Sequence, residues 1–99
     1  EAVEHMCEII NAKDNGFEKA LLAVVLISYI QPFDDGNKRT GRIVSNAILM
    51  YHRDCPLSFR TVDPIAYKKA LLIFYERNNL SAFKKIFIEQ YQFAVEHYF

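Results

Sequence analysis

The sequence predicts an all-α protein: one domain over residues 1–99, built as a compact bundle of about five helices. Three observations lead there. Apolar residues recur at helical spacing, and nothing alternates with period two over a useful length. Turn and breaker residues (Lys13-Asp14-Asn15-Gly16, Pro32, Asp63-Pro64, Asn78-Asn79) cut the chain into segments of helix length. A hydrophobic content of 52%, with eight Phe and six Tyr, supplies core material that a 99-residue chain needs from every helix.

Val3, Met6, Cys7, Ile9 and Ile10 fall at helical spacing, so residues 1–12 read as an amphipathic helix. Lys13-Asp14-Asn15-Gly16 is a turn, with Gly16 suited to a helix C-cap or a positive φ. Residues 17–30 are nearly all apolar after the first turn, as in a central helix covered on several sides. That helix ends before Pro32, whose ring pushes Gln31 out of the α region. Residues 32–38 form a polar loop with one aromatic, Phe33, expected to point inward and pin the loop to the core. A third helix runs from about Arg39 to His52, with Ile43, Ala47, Leu49 and Met50 among its apolar positions. Residues 53–62 are irregular. Asp63 as N-cap and Pro64 at the first helical position open a fourth helix that ends near Arg77. After a break at Asn78-Asn79-Leu80, Ser81 is expected to cap a last helix carrying Phe83, Ile86, Phe87, Ile88, Tyr91, Val95 and Tyr98. Its aromatics read first as packing, with a homodimer or docking face as the lesser alternative.

Twelve basic residues balance twelve acidic ones, so no overall field attracts nucleic acid. No apolar run is long enough to span a bilayer, and no signal-peptide pattern is present. Cys7 and Cys55 match no metal motif and read as reduced thiols of a cytoplasmic protein. The chain begins at Glu1 without Met, as a fragment of something longer would.

The informative stretch is Gln31-Pro32-Phe33-Asp34-Asp35-Gly36-Asn37-Lys38-Arg39-Thr40-Gly41-Arg42. A helix starting near Arg39 offers backbone N–H groups and a partial positive charge at its first turn. Gly36 lets the backbone approach a ligand or take a positive φ, and Asn37 adds a side-chain donor. Together they make a cradle of the kind that holds phosphates. Lys38 and Arg39 add charge, and Arg42 lies one turn along the same face. Asp34 and Asp35 sit where a carboxylate serves as a Mg²⁺ ligand beside a polyphosphate. The bland alternative stays open on spacing alone: Asp-Gly-Asn is common turn chemistry, and the arginines can pair with the two aspartates on the surface.

As a whole, the stretch resembles the Fic signature, His-x-Phe-x-(Asp/Glu)-Gly-Asn-Gly-Arg-x-x-Arg. Phe33, Asp35, Gly36, Asn37, Arg39 and Arg42 match it in register and without gaps. The helices before and after the motif resemble the family's helical core. Fic proteins typically transfer AMP from ATP to a hydroxyl side chain of a target protein, and the related Doc toxins phosphorylate. The resemblance implies that Phe33 anchors the active-site loop and that Asp35 helps hold Mg²⁺. It further implies that Gly36 and Asn37 form the anion hole and that Arg39 and Arg42 contact the nucleotide phosphates. Arg42 is also the usual partner of an inhibitory glutamate.

Lys38 stands where the signature has a glycine, as in Doc toxins, which bears on which phosphate occupies the hole. Gln31 stands where the family has its catalytic histidine. Histidine takes a proton near working pH, and a glutamine amide does not, although its carbonyl still accepts a hydrogen bond. Losing a general base costs about 10² to 10⁴ in rate. His5, His52 and His97 are the remaining candidates, and each reads as an ordinary surface or helix-end histidine. The flap that docks the target lies, in Fic proteins, upstream of the helix matching residues 1–12, and no inhibitory Ser/Thr-x-x-x-Glu-Gly/Asn helix is found. Inhibition is then expected from an antitoxin-like partner or further sequence, or it does not operate. The expectations are an impaired nucleotidyl transferase, a silent nucleotide-binding module, or a Doc-like phosphotransferase.

Overall fold

A computed structural model of the chain describes residues 2–98. The contributions expected of Glu1, of the Tyr98 side chain and of Phe99 lie outside the described residues. The helices are α1 (Ala2–Asn11), α2 (Gly16–Ile30), α3 (Asn37–Tyr51), α4 (Pro64–Arg77) and α5 (Ser81–Tyr98). The fold class is therefore all-α with five helices, as the periodicity predicts, and no strand occurs among the described residues. No helix among them is long and apolar enough to cross a membrane. Two compact units divide the chain, Glu1–Pro56 and Leu57–Phe99.

In the first unit, α2 packs against both α1 and α3. Its residues Ala20, Leu21, Ala23, Val24, Val25 and Ile27 are buried, which accounts for an apolar sequence with almost no polar face. Met6 and Ile10 of α1 meet Ala23 and Ile27, with Val44 and Ile48 of α3 packed on the same cluster. Asn15, in an extended conformation, caps α2: its Oδ1 accepts from the N–H of Phe17 at 2.7 Å. Gly16 is thus the first residue of α2 and not the C-cap expected from the turn. A Cβ there would fall 2.5 Å from His52 Cγ, so the glycine serves the close approach of α2 to the far end of α3.

α3 turns Gly41, Ser45 and Leu49 inward, one helical turn apart each time. Gly41 lets the crossing close, since a Cβ would lie 3.3 Å from the Val24 carbonyl oxygen. Ile43 (61% exposed), Ala47 and Met50 (58%) were expected among the apolar packing positions and instead face solvent. The reason is angular: with the 41/45/49 row against α2, residues 43, 47 and 50 come round to the other side.

In the second unit, Phe59, Tyr67, Phe83 and Phe87 form an aromatic cluster. Tyr67 and Phe83 stand edge-on at 5.1 Å between centroids, Phe59 and Tyr67 at 6.2 Å. Phe59 reaches this cluster with a φ of 56°. Asp63 caps α4 as predicted, accepting from the N–H of Ile65 at 3.1 Å, with Pro64 following. Asn78 closes α4 in the left-handed region. Ser81 does not cap α5; it is the first helical residue, and its N–H donates to Asn79 Oδ1 at 2.9 Å. On α5, Phe83 and Phe87 of the expected row are buried with Gln90 and Ala94, Tyr91 and Phe93 are half-buried, and Ile88 and Val95 are exposed on the other side of the helix; Gln90 Nε2 donates to Thr61 Oγ1 at 3.1 Å.

Candidate functional site

The loop between α2 and α3 lies within the first unit and joins two packed helices, so rigid elements hold both of its ends. α2 stops at Ile30. Gln31 takes φ 50° and ψ 61° and donates its N–H to the Ile27 carbonyl at 2.9 Å. Pro32 does displace it from the α region, into the left-handed C-cap conformation. Residues 31–35 are all exposed.

α3 begins at Asn37, two residues before the Arg39 start expected from sequence. Gly36 is its N-cap, with φ 76° and ψ 17°. The Gly36 carbonyl accepts the N–H of Thr40 at 2.8 Å. The amides of Asn37, Lys38 and Arg39 therefore precede the helical ladder and lie at the positive end of the helix. The Arg39 guanidinium folds back over Gly36: a Cβ on Gly36 would stand 2.9 Å from Arg39 Nη2. Arg42 follows one turn later and is half-buried, Lys38 is exposed, and Asp34 and Asp35 are exposed just upstream.

Two expectations change here. Phe33 is 53% exposed, so its ring does not pin the loop to the core. Its backbone does the holding instead. The Phe33 N–H donates to Asn37 Oδ1 at 3.0 Å, and Asn37 Nδ2 donates to the Phe33 carbonyl at 2.9 Å. The Asn37 side chain, expected as a cradle donor, is thus engaged inside the loop.

Neither histidine of the first unit stands at the motif. His5 lies 4.0 Å from Glu8 on the exposed face of α1. His52 is the C-cap of α3, the end away from Gly36, and packs edge-on to Tyr51. His97, in the second unit, stacks on Phe93 at 4.1 Å. No group of three or more His, Cys, Asp or Glu side chains gathers among the described residues. Cys55 is buried; burial pushes its thiol above the ordinary 9.0, and the neighbouring Asp54 carboxylate adds to the rise.

The Fic/DOC family model matches residues 1–49. Residues 1–49 are thus a Fic/DOC-family segment. No curated protein and no solved structure matches it. The Fic/DOC segment takes in α1, α2, the whole loop and α3 up to Leu49, hence every residue singled out at the site.

Sequence reasoning missed three residues that shape the Fic/DOC loop's supports. Asn15 sets the start of α2, Gly16 admits His52, and Gly41 admits α2 to α3. Asn15 carried a local signal, an Asx residue immediately before a helix. The two glycines carried none beyond being glycine, because their neighbours are distant in sequence.

Proposed function

We propose that this chain acts as a Fic-type nucleotidyl transferase, moving AMP from ATP to a hydroxyl side chain of a target protein, slowly because Gln31 occupies the base position. One observation supports it above the others. Within the family-matched segment, a left-handed glycine caps α3 and an arginine from the first turn covers that glycine. Backbone amides and a guanidinium then flank one spot, an arrangement suited to a polyphosphate.

The residues fit ATP and Mg²⁺. Gly36 leaves backbone where a side chain would collide, and Asp35 supplies the single carboxylate that Mg²⁺ commonly takes beside phosphate oxygens and water. ATP would supply the adenylyl group, with pyrophosphate as the leaving group, and Mg²⁺ would neutralise the phosphate charge. In this reading the amides at Gly36 and Asn37 bind phosphate oxygens, Arg39 and Arg42 orient the phosphate tail, and Lys38 adds charge at the mouth. Gln31 holds the acceptor hydroxyl through its carbonyl but takes no proton. The lost base costs about 10² to 10⁴ in rate. The reading puts the protein in the cytoplasm, where ATP and a protein substrate are at hand.

The test is incubation with Mg²⁺, a cell extract and either α- or γ-labelled ATP, for the protein and for Gln31→His. The expected result is weak α-label transfer to a protein, rising about a hundredfold or more in Gln31→His. Lys38 favours a second reading, a Doc-like phosphotransferase; transfer of γ label without α label would establish it. Gln31 favours a third, a silent nucleotide-binding module, which ATP binding without transfer in the natural protein would support. Absence of ATP binding in both forms would sink all three.

A further inference from the structure

We propose that Asn37 is a positioning residue: its side-chain amide clamps the Phe33 backbone and serves the loop's shape ahead of phosphate contact. The inference deepens the nucleotide-site reading above and rests on it for its functional half. A primary amide has one accepting and one donating end. Both ends of Asn37 engage the backbone of a single residue, at 3.0 Å to the Phe33 N–H and 2.9 Å to the Phe33 carbonyl. Two bonds to one residue fix orientation as well as distance.

The clamp closes a small ring over residues 33–37, and that ring spans the gap between Gln31 and the Gly36 cap. With Phe33 exposed, little burial holds the tip of the loop, so hydrogen bonding must. One N–H of Asn37 Nδ2 is held by the Phe33 carbonyl, so any phosphate contact from this amide comes from its second N–H in an orientation the clamp has already set. The clamp therefore prepares the loop before any nucleotide arrives, setting the base position against the cradle at no ordering cost during binding.

Amide hydrogen exchange on the unliganded protein tests the clamp without reference to nucleotide. The Phe33 amide is expected to exchange at least about tenfold more slowly than those of Asp34 and Asp35, and to lose that protection in Asn37→Ala while α3 amides such as that of Leu49 keep theirs. Exchange of the Phe33 amide as fast as its neighbours, or protection appearing only on adding Mg²⁺-ATP, overturns the proposal. Kinetics in the Gln31→His background separates positioning from direct binding. Asn37→Ala is expected to lower kcat about a hundredfold with a smaller rise in KM for ATP, since misplacement of about 1 Å has that effect. A raised KM with kcat unchanged would make Asn37 a phosphate ligand and overturn the proposal. Should Mg²⁺-ATP not bind at all, the nucleotide reading fails, and the exchange measurement alone decides the clamp.

Discussion

Gly36 and Gln31 both occupy the left-handed region, at different energetic cost. Gly36 has no Cβ to oppose φ 76°, whereas an L-residue such as Gln31 loses roughly 1 kcal/mol or more there. Gly36→Ala combines that backbone penalty with a Cβ 2.9 Å from the Arg39 guanidinium. It should lower stability by about 1 kcal/mol or more and weaken ATP binding, as read by thermal unfolding and equilibrium binding. An unchanged melting temperature would contradict the left-handed cap. Cys55 gives a pH prediction. Its thiol is raised by burial and then by Asp54, so the folded state favours the protonated form. The associated stability is complete below the ordinary thiol value of 9.0 and is lost as pH rises through the raised one. Denaturant titrations from pH 7 to 10 should show this loss, and Cys55→Ala should flatten it. In the native protein a thiol reagent should modify the exposed Cys7 and spare Cys55. At this scale the motif was legible because its residues are consecutive. The directions of the Phe33 ring and the Asn37 amide were not, since polarity alone does not say which partner a side chain chooses.

Between elements, the decisive contacts come from small residues. α2 and α3 approach closely at two separate points, Gly41 against the Val24 carbonyl and Gly16 against the His52 ring. A Cβ at Gly16 would lie 2.5 Å from His52 Cγ and 2.8 Å from its Cβ, inside any permitted contact. Gly16→Ala is therefore expected to destabilise the protein by about 1 to 3 kcal/mol in chemical denaturation, the usual range for overpacking. His52→Gly, which removes the Cβ as well as the ring, should restore most of that loss in the double variant. Additive effects of the two changes would show that the contact is not made. The helix boundaries themselves were largely legible: Pro32, Asp63-Pro64 and Asn78 act on their own neighbours. The inward face of α3 was not. Its apolar residues surround much of the helix, and only packing of Gly41, Ser45 and Leu49 on α2 sends Ile43 and Met50 outward.

For the whole molecule, equal numbers of acidic and basic residues and an isoelectric point near 7.1 leave little net repulsion at neutral pH. Exposed Ile43, Met50 and Tyr51 add apolar surface. Solubility is accordingly expected to pass through a minimum near pH 7 and to rise on either side, as precipitation assays across pH would show. A solubility independent of pH between 5 and 9 would be the contrary result. From the sequence by itself came the all-α class, the order of the five helices and the family loop, because caps, breakers and the motif act through neighbours in the chain. Tertiary structure alone decided that Phe33 lies open, that Asn37 holds the loop, that Gly16 seats His52 and which side of α3 is buried. The last two depend on where a second element packs, since helical periodicity specifies a face without naming the surface it meets; the first two depend on which partner a loop side chain takes, which polarity does not name.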